Sequence, residues 1–169
     1  MYVRNIIVIT LVTAVITTAT VFGGAEPQAS WSFHYFDGSS FVSGRPADST
    51  PYLALQNGKV PVVARESLEI KAADLPGGKG AVAGICYIQN SGSKLKAIQT
   101  FTPSPRTPLT IFSGSRPVTV SLSDNNGFYI VKLDPGAYRI STGGTWTDVA
   151  VENGKTTLMP LRTGKRMVD

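Results

Sequence analysis

His34 is the only histidine and Cys86 the only cysteine among the 169 residues. A Ser/His/Asp hydrolase needs a base beside its serine, because a hydroxyl is a poor nucleophile without one. That role would fall to His34 alone, and His34 sits in an aromatic stretch where a structural or exposed place is expected. Gly92-Ser93 and Gly114-Ser115 read as loops, not as the strand-to-helix elbow of a serine hydrolase. One cysteine excludes an intrachain disulfide and a cysteine-based zinc site, and one histidine excludes a histidine-rich site. Cys86 lies in the apolar run Val82 to Ile88, where a thiol serves as a small buried hydrophobe.

The carboxylates carry little more. Asp124, Asp134, Asp148 and Glu152 are the acids of the second half apart from the terminal Asp169. Glycoside hydrolysis needs two carboxylates at a fixed separation, which a sequence does not display. Asp124 and Asp134 flank turns, where aspartate commonly bonds its own backbone. Asp124-Asn125-Asn126 offers oxygen ligands but only one carboxylate, too few to hold calcium tightly. The sequence therefore predicts no catalytic residue, no cofactor and no metal site. What remains is recognition by aromatic side chains. Trp146 in Gly143-Gly144-Thr145-Trp146 is the leading ligand-contact candidate, with Trp31 and Tyr35 behind it. Its plainer alternative is a strand-end residue packed on a sheet rim.

Short strands must position these residues. Hydrophobic residues make up 42% and charged residues 16%, enough apolar matter for a core and too little charge for a disordered chain. Gly 17 and Pro 11 suit many turns. The formal charge is +5, but basic residues are scattered, with Lys165-Arg166 the only adjacent pair. A nucleic-acid surface needs a basic stripe interleaved with stacking aromatics, so no nucleic-acid partner is expected.

Residues 1–25 read as an address or an anchor. Arg4 precedes the uncharged stretch Ile6 to Phe22, and Gly23-Gly24-Ala25 supplies small residues for a signal peptidase. The run is at the short end for a membrane span and holds several threonines. Either as a cleaved signal or as a retained anchor, it places the rest outside the cytoplasm: periplasmic, cell-surface or secreted. Membrane contact is expected only through residues 1–25, if they stay uncleaved.

Residues 26–78 form a β-rich extension. Trp31, Phe33 and Tyr35 alternate with Ser32 and His34, which predicts a strand burying its aromatic face. Asn57-Gly58 accepts the positive φ of a tight hairpin, and Pro61 assigns the following strand to an edge. Leu75 to Gly80 reads as a linker. From residue 79 to 162, strand and turn signals recur at the spacing of an all-β sandwich. The strands are Ala81–Ile88, Pro108–Phe112, Pro117–Ser123, Phe128–Leu133, Tyr138–Ser141, Thr145–Val151 and Thr156–Leu161. Gln89 to Thr107, stiffened by prolines, is predicted as an exposed loop, and Asn153-Gly154 as a hairpin. Residues 163–169 are expected to trail as a tail.

The stretch Ser123-Asp124-Asn125-Asn126-Gly127-Phe128 through Leu133-Asp134-Pro135-Gly136-Ala137-Tyr138 resembles the carboxypeptidase regulatory-like family. Gly80-Ala81-Val82-Ala83-Gly84 is similar to the first strand of that family, and Val149 to Thr157 to its final hairpin. The resemblance covers about residues 80–162 and implies a seven-stranded Greek-key β-sandwich of prealbumin (transthyretin-like) fold. Its motif consists of turn glycines and core aromatics, which speak of folding and not of chemistry. The transthyretin-like group includes 5-hydroxyisourate hydrolases, but their several histidines and C-terminal tetrapeptide ending in serine are missing: the chain ends Arg166-Met167-Val168-Asp169. Pro135-Gly136 is predicted to make a type II turn, and Tyr138 to bury its ring while its hydroxyl reaches a backbone partner.

Two functions from different classes are consistent with these residues. One is a non-catalytic module for protein binding or scaffolding, an accessory subunit of an envelope or surface assembly. Its partner would be another envelope protein or its own copy, joined through an exposed edge strand. The other is a carbohydrate-binding module using exposed aromatics. Exposure of Trp146 beside a second aromatic is what separates them.

Overall fold

A computed structural model describes residues 30–65, 70–91 and 99–167. The leader expected at residues 1–25 lies outside them. Three sheets and no helix are found among the described residues.

The axis is β5 (Gly80–Ser91), the long strand of the middle sheet. On one side it meets β9 (Phe128–Leu133) and then β6 (Gln99–Pro103), both antiparallel. On the other side β12 (Thr156–Leu158) and β13 (Leu161–Met167) run parallel to it. A second, antiparallel sheet has the order β11 (Thr145–Val151), β10 (Gly136–Thr142), β7 (Pro108–Ser113), β8 (Arg116–Leu122). The N-terminal sheet has the order β2 (Phe41–Ser43), β1 (Ser32–Phe36), β3 (Tyr52–Leu55), β4 (Val62–Ala64).

Alternate residues of β5 feed two cores. Val82 and Cys86 join Leu109, Ile111, Ile140, Val149 and Val151 between the middle and second sheets. Ala83, Ile85 and Tyr87 join Phe36, Leu53 and Phe128 between the middle and N-terminal sheets. A strand covered on both faces must be apolar on both, which explains the unbroken run from Val82 onward. The chain is thus an all-β sandwich with a β-rich extension packed on it.

Close approach sets the small residues. A Cβ on Gly84 would lie 1.8 Å from the Met159 carbonyl oxygen. That oxygen is fixed by the Tyr129 hydroxyl, which donates to it at 2.6 Å, and by the Met159 N–H donating to Ala83 O at 2.9 Å. Only glycine lets the Met159 carbonyl approach β5 that closely.

Several expectations need correction. The segment Gln89 to Thr107 is not all loop: β5 runs to Ser91 and β6 pairs with it at Gln99–Pro103. Asn153-Gly154 turns, with Gly154 at φ 69°, but closes no hairpin. Gly154 N donates to Lys79 O and Gly58 N donates to Gly154 O, so the turn is bound to the linker and the other Asn-Gly turn. Held there, it delivers β12 to β5 in the middle sheet instead of back to β11. The linker is docked as well, with Leu75 buried and its N–H donating to Gly58 O. Residues 163–167 continue β13 along β5 instead of trailing. Nine strands, β5 to β13, therefore lie where seven were expected. In β1 the inward face is that of Phe36, whose cross-strand neighbour Phe41 shares its core; Phe33 and Tyr35 face the other way. Gly136 has a positive φ, 157°, but it is already paired in β10 and far from the +80° or so of a type II turn. Tyr138 supplies the local closure as expected, its hydroxyl donating to Asp134 O at 2.9 Å.

Candidate functional site

Among the described residues, the second sheet carries every exposed large apolar side chain except Met167 of β13. Trp146 stands on β11 opposite Ser141 of β10, and Phe112 stands on β7 opposite Arg139 of β10. The two rings meet diagonally, centroids 5.0 Å apart and planes tilted by 52°. Trp146 keeps 54% of its surface exposed. Arg139 Nε donates to Asp148 Oδ1 at 2.8 Å, and its guanidinium carbon lies 6.0 Å from the Trp146 ring centre. That hydrogen bond and the charge of Asp148 hold the guanidinium pKa above its ordinary value. An aromatic pair with a fixed cation beside it therefore occupies the β11 side of the sheet.

The β8 side is built by one local irregularity. Gly114 and Ser115 form a two-residue turn, with Gly114 at φ 58°, and close Ser113 against Arg116 and Phe112 against Pro117. Continued unchanged, that register would set Val118 against Ile111 and Val120 against Leu109. Ile111 and Leu109 are fully buried, so the valines and Leu122 would point into the core. The register instead slips by one residue after Phe112, pairing Ile111 with Thr119 and Leu109 with Ser121. Val118 is the extra residue of a β-bulge. Because the side-chain period of a strand is two, a one-residue slip exchanges its faces. Val120 and Leu122 turn outward, exposed by 66% and 56%, and Val118 is exposed by 45% at the bulge.

The backbone of β8 is open as well. Ser123 N donates to Thr107 O at 3.1 Å, so odd-numbered amides of this segment face β7. By alternation the N–H and C=O groups of Val120 and Leu122 face away from it. The strand has no neighbour on that side among the described residues. An apolar row beside an unpaired ladder edge is a template for another strand.

The other candidates lie elsewhere. Trp31 precedes β1 and Tyr35 lies within it, both half-buried on the N-terminal sheet, so the three proposed contact residues do not form one platform. Tyr35 lines a surface cleft of about 560 Å³ with Arg45, Asp48 and Phe101. His34 pairs with Leu53 and Ser43 in β1, and partial burial lowers its pKa. Cys86 is fully buried, and burial pushes its thiol up to about 12, against a smaller opposing effect of the Ser123 hydroxyl. Asp124 Oδ1 accepts from the N–H groups of Asn126 and Phe128, both at 2.8 Å, which is the turn cap expected of it. Asp134 accepts from Lys79 Nζ at 2.7 Å and Asp148 from Arg139. Sequence reasoning found β8, as the strand Pro117–Ser123, but not its outward apolar face. Its Val-Thr-Val-Ser-Leu alternation marks a strand with one apolar face but gives no sign of which way that face points.

No protein-family model matches the chain, and no curated protein matches it. Among solved structures, it is similar to the crystal structure of a minor pilin from the Gram-positive pathogen Streptococcus agalactiae. The two share 12% identity and a TM-score of 0.41, over 76% of this chain and 66% of that one. A likeness of that degree carries no weight for function.

Proposed function

We propose that this chain is an exported, non-catalytic β-sandwich module that binds protein, serving as an accessory or structural subunit of a cell-envelope or surface assembly. The observation that carries the reading is the bulged edge strand β8, with Val120 and Leu122 turned outward beside unpaired backbone groups. Export is proposed from residues 1–25 and the absence of catalysis from the inventory of the sequence. The likeness of residues 80–162 to carboxypeptidase regulatory-like domains belongs to this proposal, as does the division into extension (26–78) and sandwich (79–162).

A carbohydrate-binding role is the second reading, favoured by exposed Trp146 next to Phe112. The tilt of 52° denies the pair a common flat surface for a sugar ring, and Arg139 lies over the tryptophan. Protein binding therefore comes first. The test is to isolate the chain from its envelope under mild conditions and weigh it with its co-purifying partners. A stoichiometric protein partner, lost on Val120→Lys and kept on Trp146→Ala, supports the proposal. Retention of cell-wall polysaccharide, lost on Trp146→Ala alone, replaces it with the second reading.

A further inference from the structure

We infer that the seam between the β-rich extension and the sandwich is a binding site for a small aromatic carboxylate, its ring in an apolar cavity and its acid group on Arg65. The site is separate from β8 and stands whether or not that edge binds protein.

The cavity measures about 170 Å³ and takes its walls from both parts of the chain. Phe36 of β1, Ile85 of β5 and Phe128 of β9, all buried members of one core, line it together with Phe101 of β6. A cavity of about 150 Å³ walled by Leu, Ile and Phe admits benzene, so this one has room for a single aromatic ring. Phe36 and Phe101 meet edge to face, with centroids 4.9 Å apart and planes at 77°. Such a corner offers a third ring both a face and an edge, the contacts aromatic rings prefer. The cavity shares Phe36, Thr50 and Phe101 with the surface cleft of Tyr35 and Arg45, which gives the ring a way in.

The polar end of the cavity is cationic. Arg65, just past β4, and Asn126, in the turn before β9, both line it. Arg65 Nη2 donates to Asn126 Oδ1, a neutral acceptor on the other side of the seam. Arg65 has no carboxylate partner among the described residues, and no acid lines the cavity. Asp124, two residues from Asn126, accepts from the N–H groups of its own turn instead. The rest of the guanidinium fork is therefore left for a ligand, and a carboxylate matches it best. An unneutralised cation beside an apolar hollow is complementary to one negative charge on a flat apolar body. Ligand sites commonly have this form, a concave apolar surface between two units with a few placed polar groups. Because both parts supply walls, a bound acid would tie the extension to the sandwich and stabilise the folded chain.

The experiment is calorimetric titration of the full chain, isolated from its envelope and held in lipid nanodiscs, with empty nanodiscs as the blank. The probes are benzoate, benzyl alcohol, which lacks the charge, and acetate, which lacks the ring. Benzoate should bind about tenfold or more tighter than either, since a charge-assisted hydrogen bond and a buried ring each contribute at least that factor. Arg65→Gln removes the cation from an exposed position. Asn126→Asp keeps the Arg65 hydrogen bond but neutralises the cation in place, so its loss of binding reports charge and not folding. Each variant should weaken benzoate about tenfold or more. No binding of benzoate, equal binding of acetate or of benzyl alcohol, or parent-like affinity in both variants would overturn the inference.

Discussion

β5 and β8 are both rich in small and branched apolar residues, yet one lies at the centre of the molecule and the other at its surface. From Gly80 to Tyr87 every residue of β5 is buried, with a strand on each side and a sheet against each face. β8 has one neighbour, and its largest apolar side chains face solvent. The difference is not one of composition. Val82 and Val120 are the same residue, and their fates are set by sheet order and by a single inserted residue at Val118. In β5 the backbone hydrogen bonds and both faces are used up by the fold. In β8 half of them are left over, and that remainder is what a binding partner would use.

Substitutions should respect that contrast, and the largest effect belongs to β5. Gly84→Ala places a Cβ against the Met159 carbonyl, a backbone atom that cannot rotate aside. Overpacking of this kind costs about 3 kcal/mol or more at its worst, and the chain should lose most of its stability in a urea titration. A variant as stable as the parent would mean that the two strands do not approach so closely. Tyr129→Phe comes next. It strips the buried Met159 oxygen of its hydroxyl donor, and a buried group left short of a partner costs about 1–3 kcal/mol.

The thiol of Cys86 gives a pH test of the same core. Its folded pKa of about 12 exceeds the ordinary 9.0, so unfolding releases a proton between those values. Stability from this group is complete below pH 9 and falls as pH rises toward 12. Tyr129, also pushed up by burial, acts in the same direction above its ordinary range. Melting temperature measured from about pH 8 upward should decline, and Cys86→Ala should flatten the first part of the decline. An unchanged slope would mean that the thiol is not buried as described. The smallest effect on stability belongs to β8. Val120→Lys, on an exposed edge, should change stability by no more than about 0.5 kcal/mol while abolishing capture of the protein partner. A large loss of stability would place Val120 in the core and erase the contrast.

Much of this fold is legible in the residues. Phe128–Leu133 and Thr145–Val151 are strands to the residue, and Asp124 caps its turn as its type and place suggest. What is not legible is where a strand goes after its turn. Asn153-Gly154 announces a reversal, but hydrogen bonds to Lys79 and Gly58, remote in sequence, send β12 to another sheet. The strand of residues 99–103 hides behind its proline, because pairing with β5 overrides a weak local preference. The aromatic alternation of β1 identifies the strand but not its inward face, which Phe36 takes by matching Phe41 and the middle sheet. The candidate site is the least legible part. Trp146 stands out by type, whereas Val120 and Leu122 become surface features only through the bulge. Trp31 and Tyr35 share the chemistry of Trp146 and none of its location.

The outward face of β8 is most directly tested by amide hydrogen exchange resolved along that strand in dilute protein. With the bulge in place, Thr119 and Ser121 donate to β7 and should exchange slowly, while the amides of Val120 and Leu122 are open and should exchange fast. The reverse pattern in dilute protein, with Val120 and Leu122 slow and Thr119 and Ser121 fast, would mean that the strand runs unbulged with its apolar face in the core, and the proposed binding edge would not exist.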